Sequence, residues 1–187
     1  MDSSPRAKAP PPTFLFTVYV ILGLVTSFLF GRYPGVVPDD LIAELCPSIV
    51  VVCVFLTTYS VWDVMACGVA KQNSGISDKQ YKDMPARIPE EAFLAERAQM
   101  NQVEQIPSFV VATFSFSILV NGHVGALFAL VWAVMRRVYA ARYRNSIGIP
   151  LMDKGLSAYT VPCYMIINTM LMSSVIQALR YILSTRV

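Results

Sequence analysis

Residues 96–107 read ERAQMNQVEQIP, and within them Arg97, Asn101 and Glu104 stand at i, i+4 and i+7. On a helix that spacing puts a guanidinium, an amide and a carboxylate on one stripe. The apolar Ala98, Met100 and Val103 fall elsewhere. A second cluster, RRVYAARYR at 136–144, sets Tyr139 and Tyr143 at i, i+4 among Arg136 and Arg142. Cations, an acid, an amide and phenols are a set with definite uses. Guanidinium forks hold carboxylates, Glu104 would take an ammonium, and Asn101 a peptide group. A small zwitterionic peptide with two carboxylates and one amine matches that set. Glutathione is such a molecule, and Arg and Tyr around its sulfur would stabilise the thiolate by charge and hydrogen bonding. The same residues have plainer uses. Arg97, Asn101 and Glu104 would equally make an interhelical network that fixes register. Tyr139 and Tyr143 would serve as interfacial belt residues, and the arginines as topology signals.

The elements that must position these residues are set by composition. Of 187 residues 55% are hydrophobic and 14% charged, and mean hydropathy is +0.53, so a membrane is the expected solvent. Long apolar runs lie at Phe14–Phe30, Cys46–Trp62, Ile106–Met135 and Leu156–Leu179. About 20 residues span the hydrocarbon as a helix. The third run is too long for one helix and is broken by Asn121-Gly122, a turn pair. Five spans are therefore expected, all α-helical.

The second should run from about Pro47, a good first helical position, to about Ala70. The segment 31–45, with Pro34, Gly35 and Pro38, reads as an irregular loop. The third should begin near Pro89, with Glu90 and Glu91 at the positive end of its dipole, and run to about residue 120, bent near Pro107. Pro162 reads as a second kink. If the Asn121-Gly122 turn makes neighbours antiparallel, residues whose numbers add to about 245 share a depth. That brings Tyr139 and Tyr143 within about a turn of the stripe.

Lys and Arg number 15. With the N-terminus inside, Arg6, Lys8, Lys71, Lys79, Lys82, Arg87, Arg97, Arg136, Arg137, Arg142, Arg144 and Lys154 share one side. Only Arg32, Arg180 and Arg186 fall on the other. The positive-inside rule then places the N-terminus and the polar cluster on the cytosolic face. No scattered basic surface for nucleic acid is indicated. The basic, Pro-rich residues 1–13 followed by an apolar run read as a retained signal-anchor helix rather than a cleaved peptide. Cys46, Cys53, Cys67 and Cys163 lack CxxC spacing, and His123 is the only histidine, so neither a disulfide framework nor a metal site is expected. Asp63, late in the second span, is a membrane-embedded acid. It would pair with Lys71 or a partner helix, in a structural or a functional role.

RAQMNQVEQIP resembles the Arg-Ala-x-x-Asn-x-x-Glu-x-x-Pro motif of the MAPEG family, the membrane-associated proteins in eicosanoid and glutathione metabolism. RRVYAARYR is similar to that family's later Arg-x-x-Tyr-x-x-x-Tyr motif. The resemblance covers about residues 46–182. It implies a four-helix membrane unit assembled as a homotrimer, with glutathione held between subunits near the cytosolic face. On that basis residues 1–45 form a tail, an extra transmembrane helix (about 14–31) and a linker, and 46–187 form the family domain. Arg97, Gln99, Asn101, Glu104 and Arg136 would bind glutathione as co-substrate, and Tyr139 or Tyr143 would hold the sulfur.

The implied activity is a membrane-bound glutathione transferase or peroxidase of the microsomal type. It would act on hydrophobic electrophiles or lipid hydroperoxides in the endoplasmic reticulum or another organelle membrane, mitochondria included. Members with strong conjugating activity carry an arginine several residues after the second tyrosine. Here that stretch is RNSIGIPLMDKG, with Arg144 adjacent and Lys154 far along, and Gln105 stands where some members have tyrosine. The competing expectation is a non-catalytic subunit of a larger membrane assembly, docked among unlike subunits through the extra helix.

Overall fold

The computed structural model describes Thr13, Phe14, Thr17, Val18, Ile21 and residues 39–75, 88–149 and 155–184. The described chain is all-helical. Helix α1 (Asp39–Thr58) continues through a π-helical turn (Tyr59–Val64) into α2 (Met65–Asn73). There follow α3 (Glu90–Val103), α4 (Ile106–Leu119), α5 (Gly122–Arg144) and α6 (Ser157–Ser184). Three helical stretches are long and apolar enough to cross a bilayer: Asp40–Asn73, Gly122–Arg144 and Ser157–Ser184. Of the expected first span only Thr13, Phe14, Thr17, Val18 and Ile21 are described, all helical; the rest of it, and Lys154, lie outside the described residues.

Two boundaries differ from expectation. Helix α1 starts at Asp39 and carries Pro47 inside it, where a loop was expected to 45 and a helix start at Pro47. Two early contacts hold the segment helical despite the missing Pro47 donor. The Glu44 carboxylate accepts the Gly122 amide at 2.6 Å, and the Ser48 hydroxyl meets that of Ser117 at 2.6 Å. The helix expected over 90–120 is two pieces, α3 and α4, divided at Glu104-Gln105. Pro107 explains the break: it has no N–H for the Val103 carbonyl, and its ring clashes with that carbonyl.

The turn at Asn121-Gly122 is present. Asn121 is extended (φ −167°, ψ 124°) and its Oδ1 accepts the Val124 amide at 2.9 Å, capping α5. Gly122 is obligatory there, because a Cβ would lie 1.7 Å from the Glu44 carbonyl oxygen. With only Val120 and Asn121 between α4 and α5, matched residues sit lower in number than the anticipated sum. Asn101 meets Tyr139 rather than the level of Arg144, a shift of more than one turn.

The core between α1, α4, α5 and α6 is aromatic. Phe109 stacks on Trp132 with centroids 4.0 Å apart and planes 9° apart, and Phe55 meets both edge-on at 5.4 and 5.1 Å. Such pairs add about 0.5–1.5 kcal/mol beyond area burial. Toward the arginine-rich end α3 approaches closely through small residues. Ala92 and Ala95 pack on Ala70, and Ala98 packs with Leu94 against Tyr139, Tyr143 and Leu156. Small residues permit this close backbone approach, and it brings the two polar clusters into contact.

Candidate functional site

Polar residues on the inner half of α3 and α5 converge, though not all in the anticipated way. Asn101 Nδ2 donates to the Tyr139 hydroxyl at 2.8 Å, joining the two motifs directly. Tyr143 lies one turn further along α5, its ring 5.8 Å from that of Tyr139. The Arg136 guanidinium sits 4.6 Å over the Tyr139 ring and 5.9 Å from Trp132. A cation over an aromatic face is worth about 0.5–2 kcal/mol, the upper end applying when desolvated as here.

Arg136 is buried and spoken for. Its Nε donates to Gln102 Oε1 at 2.9 Å, Gln102 Nε2 donates back to the Arg136 carbonyl at 2.9 Å, and its Nη2 donates to the Asn101 carbonyl. Gln102 itself is 0% exposed. Sequence reasoning passed over Gln102. Its signal was legible, since it follows Leu94 and Ala98 at i+8 and i+4 on the buried face, where an amide must find a partner.

Arg97 and Glu104 are both exposed along the edge of α3 next to Asn101, so the stripe exists, with its charged ends facing away from the chain's own bundle. Gln99 is not part of the cluster. It stands on the opposite side of α3, where its side chain hydrogen-bonds Tyr59 of the π turn. Arg142 is exposed beside Tyr159, its guanidinium 5.0 Å from that ring. Gln105 Nε2 donates to the Tyr164 hydroxyl at 3.0 Å, linking the break between α3 and α4 to α6.

A second polar cluster lies across α5. Asp63, in the π turn, is 1% exposed and pairs with both Arg137 and Arg144. Of the two pairings anticipated for Asp63, the one with another helix is observed and the one with Lys71 is not: Lys71 pairs with Glu96 at 2.8 Å, both about a third exposed. The two lie about two turns apart along the helix, and Asp63 faces α5 while Lys71 reaches out to α3. Arg144, next to Tyr143 in sequence, is thereby engaged by a carboxylate. The four cysteines are free, and no group of metal-ligating side chains occurs among the described residues.

No curated protein and no solved structure matches the chain. The sequence profile of the MAPEG family matches residues 47–168, which takes in α1 from Pro47 through the first half of α6 and both polar motifs. The chain is an integral membrane protein that belongs to the MAPEG family.

Proposed function

We propose that the protein is a membrane-bound glutathione transferase or peroxidase, with glutathione at the edge of α3 and Tyr139 at its sulfur. One observation carries this reading: Asn101 donates to the Tyr139 hydroxyl oxygen, which leaves the phenolic proton for another acceptor. A thiolate is such an acceptor. Arg136 over the ring adds positive charge where the sulfur anion would sit. Arg97 would hold a carboxylate and Glu104 the amine. Both are exposed on the single chain, so a neighbouring copy, in the homotrimer that the family resemblance implies, would close the site.

Conjugation then takes three changes: the thiol loses its proton, the thiolate sulfur bonds to an electrophilic carbon, and that carbon's leaving group departs. In the peroxidase case two glutathiones reduce a hydroperoxide to an alcohol and water and leave as a disulfide. Arg136 is a positioning residue in either case, held through its Nε by Gln102 and through Nη2 by the Asn101 carbonyl. The hydrophobic second substrate would arrive through the lipid, and the site would face the cytosol.

A second reading, a non-catalytic subunit among unlike membrane partners, is favoured by one specific observation: Arg136, Arg137 and Arg144 are all engaged within the bundle. Titrating the purified protein with glutathione while following thiolate absorbance separates the readings. The enzyme reading expects saturable thiolate formation in wild type. It expects about tenfold weaker binding in Arg97→Ala, the cost of one charge-assisted pair. Tyr139→Phe should bind glutathione without the thiolate band. Binding without thiolate in wild type would favour the second reading, and no binding at all would remove the glutathione site.

A further inference from the structure

Between α1 and α5, on the side of α5 away from Arg136 and Tyr139, runs an apolar groove of about 410 Å³. Val50, Val54 and Phe55 form one wall, Leu130 and Val134 the other, and Arg137 lines it at the arginine-rich end. At about 100° per residue these α5 positions fall on the side of the helix opposite Trp132, Arg136, Tyr139 and Tyr143. The groove is therefore separate from the candidate glutathione site. Its volume lies in the range of small-molecule sites. At about 30 Å³ for each water-sized group it takes on the order of a dozen methylenes, the scale of one acyl chain.

Charge fixes the headgroup. Asp63 carries one negative charge and faces two guanidiniums, Arg137 and Arg144. Among the described residues the cluster keeps a surplus of one positive charge, in a setting where unbalanced charge is costly. Arg137 and Arg144 have 26% and 21% of their side chains open to the surroundings. An anion at the groove's end would offset that surplus, and Arg recognises phosphate through paired donors. Arg137 is seven residues from the end of α5, about 10 Å of rise, so a headgroup on it leaves its chain to run along the groove toward Leu130 and Val50.

We infer that the α1–α5 groove is a binding site for an acidic phospholipid, with one acyl chain in the groove and the phosphate on Arg137. Such a lipid ties the π turn to α5 from outside the bundle. Trp62, in that turn with its ring 5.8 Å from the Arg137 guanidinium, is a built-in reporter.

The test places the whole protein in phosphatidylcholine nanodiscs containing a small fraction of phosphatidylglycerol or phosphatidylcholine, each with a nitroxide on carbon 5 of one chain. Tryptophan quenching is then followed against label fraction. Wild type should show a saturable component for the acidic lipid with about fivefold higher relative association than for phosphatidylcholine, the worth of one cation near an anionic headgroup. Arg137→Gln, which leaves Asp63 paired with Arg144, should bring the ratio close to one. Val54→Phe with Val134→Phe, which fills the groove and keeps every charge, should abolish the saturable component. Equal quenching by the two lipids in wild type overturns the proposal. So does a preference that survives groove filling, since that is surface attraction alone. A groove covered by a second copy or by the N-terminal segment would give no saturable quenching, which also overturns it.

Discussion

Replacing Asp63 by Asn tests the charge balance of the bundle most directly. The substitution keeps the shape and removes the one carboxylate between Arg137 and Arg144. Breaking a buried ion pair costs about 3–5 kcal/mol, because the partner's charge is left uncompensated. Here the acid is 1% exposed while both guanidiniums are about a quarter open. That screening places the expected loss near the lower figure, about 3 kcal/mol. The Lys71–Glu96 pair is the internal control. It has the same chemistry at 2.8 Å, but both side chains are about a third exposed, and Lys71→Ala should cost about 0–1 kcal/mol. Unfolding in mixed micelles, by added sodium dodecyl sulfate and followed by tryptophan fluorescence and circular dichroism, reads both midpoints. The two variants should differ by about 2 kcal/mol, a factor of roughly thirty in the unfolding constant. Adding Arg137→Gln to Asp63→Asn should cost little more, since the removed cation had already lost its partner. If Asp63→Asn unfolds within error of Lys71→Ala, the triad contributes nothing through burial and the reasoning fails.

Gly122→Ala should strongly lower the unfolding midpoint, because its Cβ would lie 1.7 Å from the Glu44 carbonyl oxygen. Gly68→Ala, with nothing within 4 Å, should raise it by about 0.5–1 kcal/mol through helix propensity. Gln102→Leu leaves the Arg136 Nε and carbonyl short of a partner. It should cost about 1–3 kcal/mol of stability and weaken thiolate formation more than glutathione binding. Arg136→Lys keeps the charge and loses the fork; the same split between thiolate absorbance and binding is expected, measured by the titration above.

The second, fourth and fifth expected spans, the turn at Asn121-Gly122 and the convergence of the two motifs were legible because each rests on local chemistry. Hydropathy, a two-residue turn and i, i+4 spacing need no knowledge of the partner helix. Which polar group meets which was not legible. The sequence left Asp63 with two partners, Lys71 or another helix; the bundle sends Asp63 to α5 and Lys71 to α3. Gln99 and Gln102 are the same residue type three positions apart. Only the packing of Ala92, Ala95 and Ala98 decides that Gln102 is gripped by Arg136 while Gln99 faces the π turn. Pro107 was legible as a bend. That the break would fall at Glu104-Gln105 follows from the Val103 carbonyl, four residues back.

Helix α5 is where these separate arrangements become one. Its four consecutive turns from Leu130 to Arg144 present Trp132 to Phe109 of α4 and Phe55 of α1, Arg136, Tyr139 and Tyr143 to α3, and Arg137 and Arg144 to the π turn. Adjacent arginines thus do opposite work. Arg136 is held by uncharged acceptors, which leaves its charge available to a nearby anion, while Arg137 shares a carboxylate with Arg144. A guanidinium held by neutral acceptors keeps its full field, and one facing a carboxylate does not. The physical consequence is directional. The phenol side of α5 has an uncompensated cation close to Tyr139, which suits a thiolate, and the groove side has half a charge per arginine. Gln102→Glu sets a carboxylate against the Arg136 Nε and should quench the field at Tyr139, while also removing the Nε2 donor to the Arg136 carbonyl. Loss of the thiolate band with glutathione binding retained is the expected result, and an unchanged band would show that Arg136 contributes through packing rather than charge.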